Sequence, residues 1–134
     1  MKEDGSIEVD KIVKHWIKTS DDDAETMLIL YNSGSYSWSL FLGHISVEKL
    51  LKGIYVRKFE KHAPFTHNLL KLAELVDLDA TNEQMEMIDK ITPFNLHARY
   101  NDYKEEFAKI CTKDFAESWI EKIKKLRVWI KQQS

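Results

Sequence analysis

The stretch Tyr36–Glu60, YSWSLFLGHISVEKLLKGIYVRKFE, decides the fold class of this chain. It predicts one long helix, yet its apolar residues cover more than one helical face. They are Trp38, Leu40, Phe41, Leu42, Ile45, Val47, Leu50, Leu51, Ile54 and Tyr55. A helix that is apolar on several sides is buried on several sides, either at the centre of a bundle or against a second subunit. This excess apolar surface is our sequence argument for a homodimer. Within the same helix, Glu48 and Lys52 have the four-residue spacing of an ion pair.

The segments on either side of this helix predict further helices. An amphipathic helix is expected from about Asp10 to Asn32, ended by the turn residues NSGS. Three threonines, Thr66, Thr81 and Thr112, stand where they can cap a following helix. The helices that they would begin are HNLLKLAELVDL, NEQMEMIDKI and a last one with Phe115, Trp119, Ile120, Ile123, Leu126 and Ile130 on its apolar stripe.

The region after Pro93 is harder to assign. Proline ends the preceding helix, and the residues up to Thr112 predict an irregular approach followed by a possible helical turn. The pattern as a whole indicates an all-α, antiparallel bundle of about five helices. We expect a single domain over residues 1–134, with its helical core at about 9–131.

Composition excludes several classes of protein. Twenty basic against 22 acidic residues give a net charge of -2, so no global positive field indicates a nucleic-acid binder. Cys111 is the single cysteine, which predicts a buried free thiol and no disulfide. No apolar run approaches the roughly 20 residues that span a bilayer, and the polar N-terminus is no signal peptide. We therefore expect a cytoplasmic protein without metal or cofactor.

Three pieces of the sequence carry a family resemblance. YNSGSYSWSLFLGHISVEKLLKGIYV, then PFTHNLLKLAEL, then HARYNDY with a closing helix, resemble in that order the HEPN domain family (higher eukaryotes and prokaryotes nucleotide-binding domain). The most specific elements are Glu48-Lys49-x-x-Lys52, Thr66-His67-x-Leu69 and Arg99-Tyr100. The resemblance covers roughly residues 9–131, and Val47 departs from the alanine that is frequent in the family.

The resemblance implies a helical bundle that is usually a homodimer. Such proteins are bacterial or archaeal, are frequently encoded beside a minimal nucleotidyltransferase, and in some cases form toxin–antitoxin pairs with it. Other members are ribonucleases through an Arg-x4-6-His motif late in the chain. A nucleotide- or RNA-binding role is also implied.

Arg57 and His62 have the spacing of that ribonuclease motif, with four residues between them. They lie too early in the chain, at the end of the second predicted helix. Cations such as Arg57, Lys58 and Lys61 also suit a helix C-terminus, where they meet the negative end of the helix dipole. We favour the helix-end interpretation and keep Arg57 and His62 as the catalytic alternative.

A ligand site is predicted around Arg99, Tyr100, His67 and Lys52. Arg99 and Lys52 would neutralise a phosphate, and Tyr100 would stack on a base. For Arg99 we favour a structural interpretation, an ion pair with a carboxylate such as Glu48, and the four residues are our expectation for a ligand site if the protein has one. The other histidines are given structural roles, with His44 in the core or an interface and His15 exposed.

The last helix carries a basic outer face, formed by Lys122, Lys124, Lys125, Arg127 and Lys131. Such a face attracts RNA or an acidic partner, but usually it is only solvated.

These observations lead to a non-catalytic, dimeric binding module for a nucleotide or for a minimal nucleotidyltransferase partner of the toxin–antitoxin type. Two alternatives stay open. One is a metal-independent ribonuclease in which Arg57 and His62, or His97 and Arg99, converge across the dimer. The other is a purely structural homodimer.

Overall fold

The computed structural model describes residues 7–95 and 101–133, and within them the chain forms helices and no strand. The helices are α1 (Val9–Asn32), α2 (Tyr36–Phe59), α3 (Leu69–Leu75), α4 (Asn82–Ile91), α5 (Asn101–Ile110) and α6 (Lys113–Gln133). Residues 93–95 are also helical. The predicted all-α bundle is confirmed. The segment expected to hold only a helical turn contains α5, a full helix of 10 residues.

Two of the three predicted threonine caps are present. Thr81 forms a capping box with Gln84 at the start of α4. Thr112 Oγ1 accepts a hydrogen bond from the Phe115 amide at the start of α6, with a distance of 3.2 Å. The predicted cap at Thr66 is wrong, because Asn68 caps α3 by accepting from the Lys71 amide. Thr66 lies two residues too early and accepts from the Asn68 amide instead.

Helix α2 is the central helix of the bundle. It packs against α1, α3, α5 and α6. Within the chain Leu40, Val47, Leu50, Leu51 and Ile54 are buried, whereas Phe41, Leu42, Ile45 and Tyr55 are half-buried and Trp38 is exposed. Because neighbours in the same chain bury most of this surface, the apolar pattern of α2 by itself does not require a second subunit. Buried serines join α2 to α1: Ser20 donates to the Ser46 carbonyl at 2.6 Å, and Ser39 donates to the Met27 carbonyl at 2.7 Å.

Cys111 is buried, as predicted. Burial raises the pKa of its thiol to about 11, because the thiolate would lose its hydration. In the described part of the chain no helix is long and apolar enough to cross a membrane.

Candidate functional site

A buried carboxylate, Glu48 on α2, holds together the polar cluster of the bundle. Its residue is 5% exposed. Oε2 lies 3.0 Å from Lys52 Nζ one helical turn later, which confirms the predicted ion pair and shows that it is buried. Oε1 lies 2.9 Å from Nδ1 of His67, which belongs to the connection before α3. One carboxylate therefore joins two neighbours, and both of its oxygens are hydrogen-bonded as a buried charge requires.

His44 lies one turn before Glu48 and is fully buried, as predicted for a core histidine. Its Nε2 is 2.9 Å from the His67 carbonyl oxygen, which can only accept, so Nε2 carries the proton. Its Nδ1 has no hydrogen-bond partner and lies 3.9 Å from Glu48 Oε1. Burial lowers the pKa of His44 below its ordinary 6.5, since lost hydration outweighs the hydrogen bond to His67 and the Glu48 charge.

His67 is anchored on one side and open on the other. Its carbonyl oxygen accepts from His44 and its Nδ1–H donates to Glu48, yet 56% of its side chain is exposed. The carboxylate fixes the tautomer, as in many carboxylate–histidine pairs. The remaining ring nitrogen, Nε2, is the one left for a ligand.

Lys52 is 7% exposed and directs its charge at Glu48. Its ammonium group also lies 5.7 Å from the centre of the Trp16 ring, a cation–π distance. Of the four predicted ligand residues, the structure brings Lys52 and His67 together through Glu48. Arg99 and Tyr100, with His97, lie outside the described residues.

Arg57 and His62 are not joined to each other by a hydrogen bond. Arg57 is in the last turn of α2, as the helix-end interpretation predicted, and pairs with Asp10 at the start of α1. It lines a hollow of about 540 Å³ with Asp10 and Glu60, whereas His62 lines a neighbouring hollow of about 600 Å³. Glu60 separates them in a left-handed conformation with φ of 54°.

The basic face of α6 is partly used within the fold. Arg127 and Lys131 both reach the same carboxylate oxygen of Asp21 on α1, each at 2.7 Å. Lys124 lies 3.4 Å from Glu121. The exposed His15 on α1 agrees with the prediction.

Sequence reasoning identified Glu48 and Lys52 as a pair but missed their connection to His44 and His67. The spacing of His44, Glu48 and Lys52 is four residues each time, which places all three on one side of α2. That signal was available. The contact between Glu48 and His67 spans 19 residues and a change of chain direction, and no local pattern reveals it.

Comparisons with known proteins agree with this fold. The model of the family described as "HEPN domain" matches residues 13–133. The crystal structure of TT1696 from Thermus thermophilus is similar, with a TM-score of 0.76 and 19% sequence identity. The similarity covers 91% of this chain and 98% of that chain, and at this identity it concerns the fold alone. Comparison with curated proteins gives no match.

Proposed function

Because the chain belongs to the HEPN domain family, we propose that it is a non-catalytic, dimeric module that binds a nucleotide or a minimal nucleotidyltransferase partner. Family membership supports a nucleotide-binding or ribonuclease-type module in general, and HEPN domains commonly dimerise. The toxin–antitoxin role follows only if the partner is such a nucleotidyltransferase.

The nucleotide proposal rests mainly on one observation, that the His67 ring is held in a fixed orientation and is still exposed. Its Nδ1 is fixed by the buried Glu48, while more than half of its side chain is exposed. A ring held in one orientation loses little conformational entropy when a ligand binds, which favours affinity. Nε2, the acceptor nitrogen of this tautomer, then accepts a hydrogen bond from a hydroxyl or amino group of the ligand.

Charge balance at the cluster supports an anionic ligand. Glu48 alone would repel a phosphate, but Lys52 lies 3.0 Å away and cancels its charge. We propose that Lys52 acts mainly in this indirect way, since a direct contact with phosphate would require its pair with Glu48 to open. Arg99 is proposed to clamp the phosphate and Tyr100 to stack on the base.

We propose that the chain dimerises because HEPN domains commonly do so and because large apolar side chains lie at its surface. Phe65, two residues before His67, is fully exposed. The described residues include six further large apolar side chains that are exposed: Ile29, Trp38, Phe59, Leu75, Ile110 and Val128. Apolar residues of this size are common at subunit interfaces.

The nucleotide proposal is tested by titrating ATP and AMP into the purified full chain by isothermal calorimetry. We expect His67→Ala and Arg99→Ala each to raise Kd by roughly tenfold, the loss of one hydrogen bond. Lys125→Ala, an exposed cation on α6, is the control and should bind like the wild type.

Equal affinity in the wild type and in both variants would place the nucleotide elsewhere and refute this site. If neither nucleotide binds at millimolar concentration, the nucleotide arm of the proposal fails. The partner arm is then tested by mixing the protein with a purified minimal nucleotidyltransferase and measuring the mass of the mixture by light scattering.

A further inference from the structure

A second candidate ligand site lies along the first two turns of α1 and adjoins the Glu48 cluster, since its Trp16 ring lies 5.7 Å from Lys52 Nζ. It is a hollow of about 600 Å³, within the usual size range of small-molecule sites. Its α1 residues form two adjacent pairs, Lys11–Ile12 and His15–Trp16, which are four positions apart and so lie on one side of the helix. The residues that line it are Ile7, Glu8, Lys11, Ile12, His15, Trp16 and His62.

The lining combines half-buried apolar residues with polar side chains that make no hydrogen bond or ion pair. Ile7, Ile12 and Trp16 are half-buried. Lys11, His15 and His62 form the polar part. Among the described residues, none of these three side chains makes a hydrogen bond or an ion pair. Apolar surface with a few convergent, unpaired polar groups is typical of a small-molecule site.

His62 reaches this hollow because of the way α2 ends. Glu60 adopts the left-handed conformation at the C-terminal cap, and its amide bonds back to the Val56 carbonyl at 2.9 Å. The chain then turns away from the axis of α2, and His62 lies against residues of α1. The spacing that suggested a ribonuclease motif is thereby explained differently, because Arg57 and His62 line two adjoining hollows that share Glu8 and Lys11, and Arg57 is paired with Asp10.

We propose that this hollow binds a planar aromatic ring that carries an anionic group. The ring stacks on Trp16 and contacts Ile12, as aromatic ligands do on an indole face. The anion accepts hydrogen bonds from Lys11, His15 and His62, and the charge of Lys11 offsets that of the one carboxylate of the lining, Glu8. Nucleoside monophosphates and aromatic carboxylates share this chemistry. The inference is independent of the nucleotide site proposed at His67.

The test follows the indole N–H of Trp16 in two-dimensional proton–nitrogen NMR of the full chain, with the signal assigned by Trp16→Phe. The probes are AMP, 1-naphthoate, adenosine and inorganic phosphate. We expect AMP or 1-naphthoate to shift the Trp16 signal in a saturable way, and adenosine and phosphate to shift it far less at the same concentration. Whichever of AMP and 1-naphthoate binds with the lower Kd shows whether the ligand is a nucleoside monophosphate or an aromatic carboxylate.

Variants of residues that line the hollow test whether the ligand binds there. Lys11→Ala and His62→Ala should each raise Kd by about fivefold, the loss of one solvent-exposed charged or hydrogen-bonded contact. Lys14→Ala, an exposed lysine of α1 outside the hollow, is the matched control and should bind like the wild type. All of these positions except Trp16 are exposed, so folding is retained.

Three results would overturn the proposal. The first is a Trp16 signal that does not move with any probe at millimolar concentration. The second is adenosine binding as tightly as AMP together with no effect of 1-naphthoate, which removes the role of the anion. The third is AMP affinity that falls in His67→Ala but not in Lys11→Ala or His62→Ala. That result assigns the ligand to the Glu48 cluster and leaves the proposed function standing.

Discussion

At the scale of single residues, Glu48 shows what a buried charge can do in a small bundle. Its ion pair with Lys52 gains little net stability, because removing two charges from water offsets their attraction. Its second contact, 2.9 Å to His67, ties the connection before α3 to the middle of α2. The carboxylate therefore determines the position of a chain segment more than it stabilises the fold. An unpaired Glu48 would still be costly, since a buried charge without partners destabilises by several kcal/mol, roughly 3 to 5.

His44 makes stability depend on pH. Its pKa is below 6.5 in the folded state, mainly through burial, and returns to its ordinary value on unfolding. The unfolded state therefore binds more protons as pH falls below about 6.5, and the free energy of unfolding decreases. The stability that neutral, buried His44 contributes is fully present above about pH 6.5. It is lost as the pH falls from there toward the folded-state pKa, with a slope of up to about 1.4 kcal/mol per pH unit.

The measurement is urea unfolding at pH 7.5 and pH 5.5 for the wild type and His44→Gln. Glutamine keeps an N–H donor for the His67 carbonyl but cannot take up a proton. We expect the wild type to lose more of its free energy of unfolding than the variant over this range. His15→Gln, at an exposed position, is the control for the replacement of a histidine by glutamine. A wild-type pH slope in His44→Gln would contradict the assignment.

At the scale of elements, the close approach of α2 to two other helices depends on Gly43. A Cβ at this position would lie 2.7 Å from Ile123 Cδ1 on α6 and 2.9 Å from Met27 Sδ on α1. Both neighbours are fully buried and cannot move into solvent. Overpacking of this kind costs about 1 to 3 kcal/mol. Alanine recovers about 1 kcal/mol of helix propensity, so we expect Gly43→Ala to lower the free energy of unfolding by about 1 kcal/mol.

Gly53 on the same helix offers a matched comparison. A Cβ there would meet Trp16 Cβ at 3.3 Å, a tight contact but not an overlap. Gain in helix propensity and loss in packing should nearly cancel, so Gly53→Ala is expected within about 0.5 kcal/mol of the wild type. Denaturant unfolding of both variants checks the ranking. A Gly43→Ala variant as stable as Gly53→Ala would mean that the α1–α2–α6 packing yields easily.

At the scale of the whole molecule, the question is whether a dimer creates a catalytic site that one chain lacks. Within one chain Arg57 pairs with Asp10 and lines a different hollow from His62. A ribonuclease would therefore have to bring the two together from different subunits, and the Arg57 pair would have to open. We expect no such activity from this module.

Incubation of RNA with the wild type in EDTA tests this expectation, at a concentration where light scattering gives twice the mass of one chain. Arg57→Ala, His62→Ala and Lys125→Ala are purified in parallel. The binding-module proposal predicts intact RNA in every sample. Cleavage by the wild type and Lys125→Ala that is lost in both other variants would establish the ribonuclease alternative, and a monomeric mass would refute the proposed dimer.

Local patterns were sufficient for most of the fold. The bounds of α1 and α2 were predicted to within a residue or so, because long apolar periodicity and the intervening NSGS turn are properties of the sequence itself. The caps at Thr81 and Thr112 were predictable for the same reason. The cap of α3 was misplaced because Thr66 and Asn68 are both good capping residues. Helix α5 was underestimated, since NDYKEEFAKI is mostly polar.

The sequence by itself determined the helical class, the burial of α2 on several sides and the Glu48–Lys52 pair, all of which depend on residues close together in the chain. Only the tertiary structure decided that Glu48 also holds His67 and that His44 is buried against the same segment. It also decided that Arg57 pairs with Asp10 of α1, while His62 lines a hollow with His15 and Trp16. Helix periodicity reports which face is buried but not which residue of a distant segment meets it. That choice is made by packing of the whole bundle around α2.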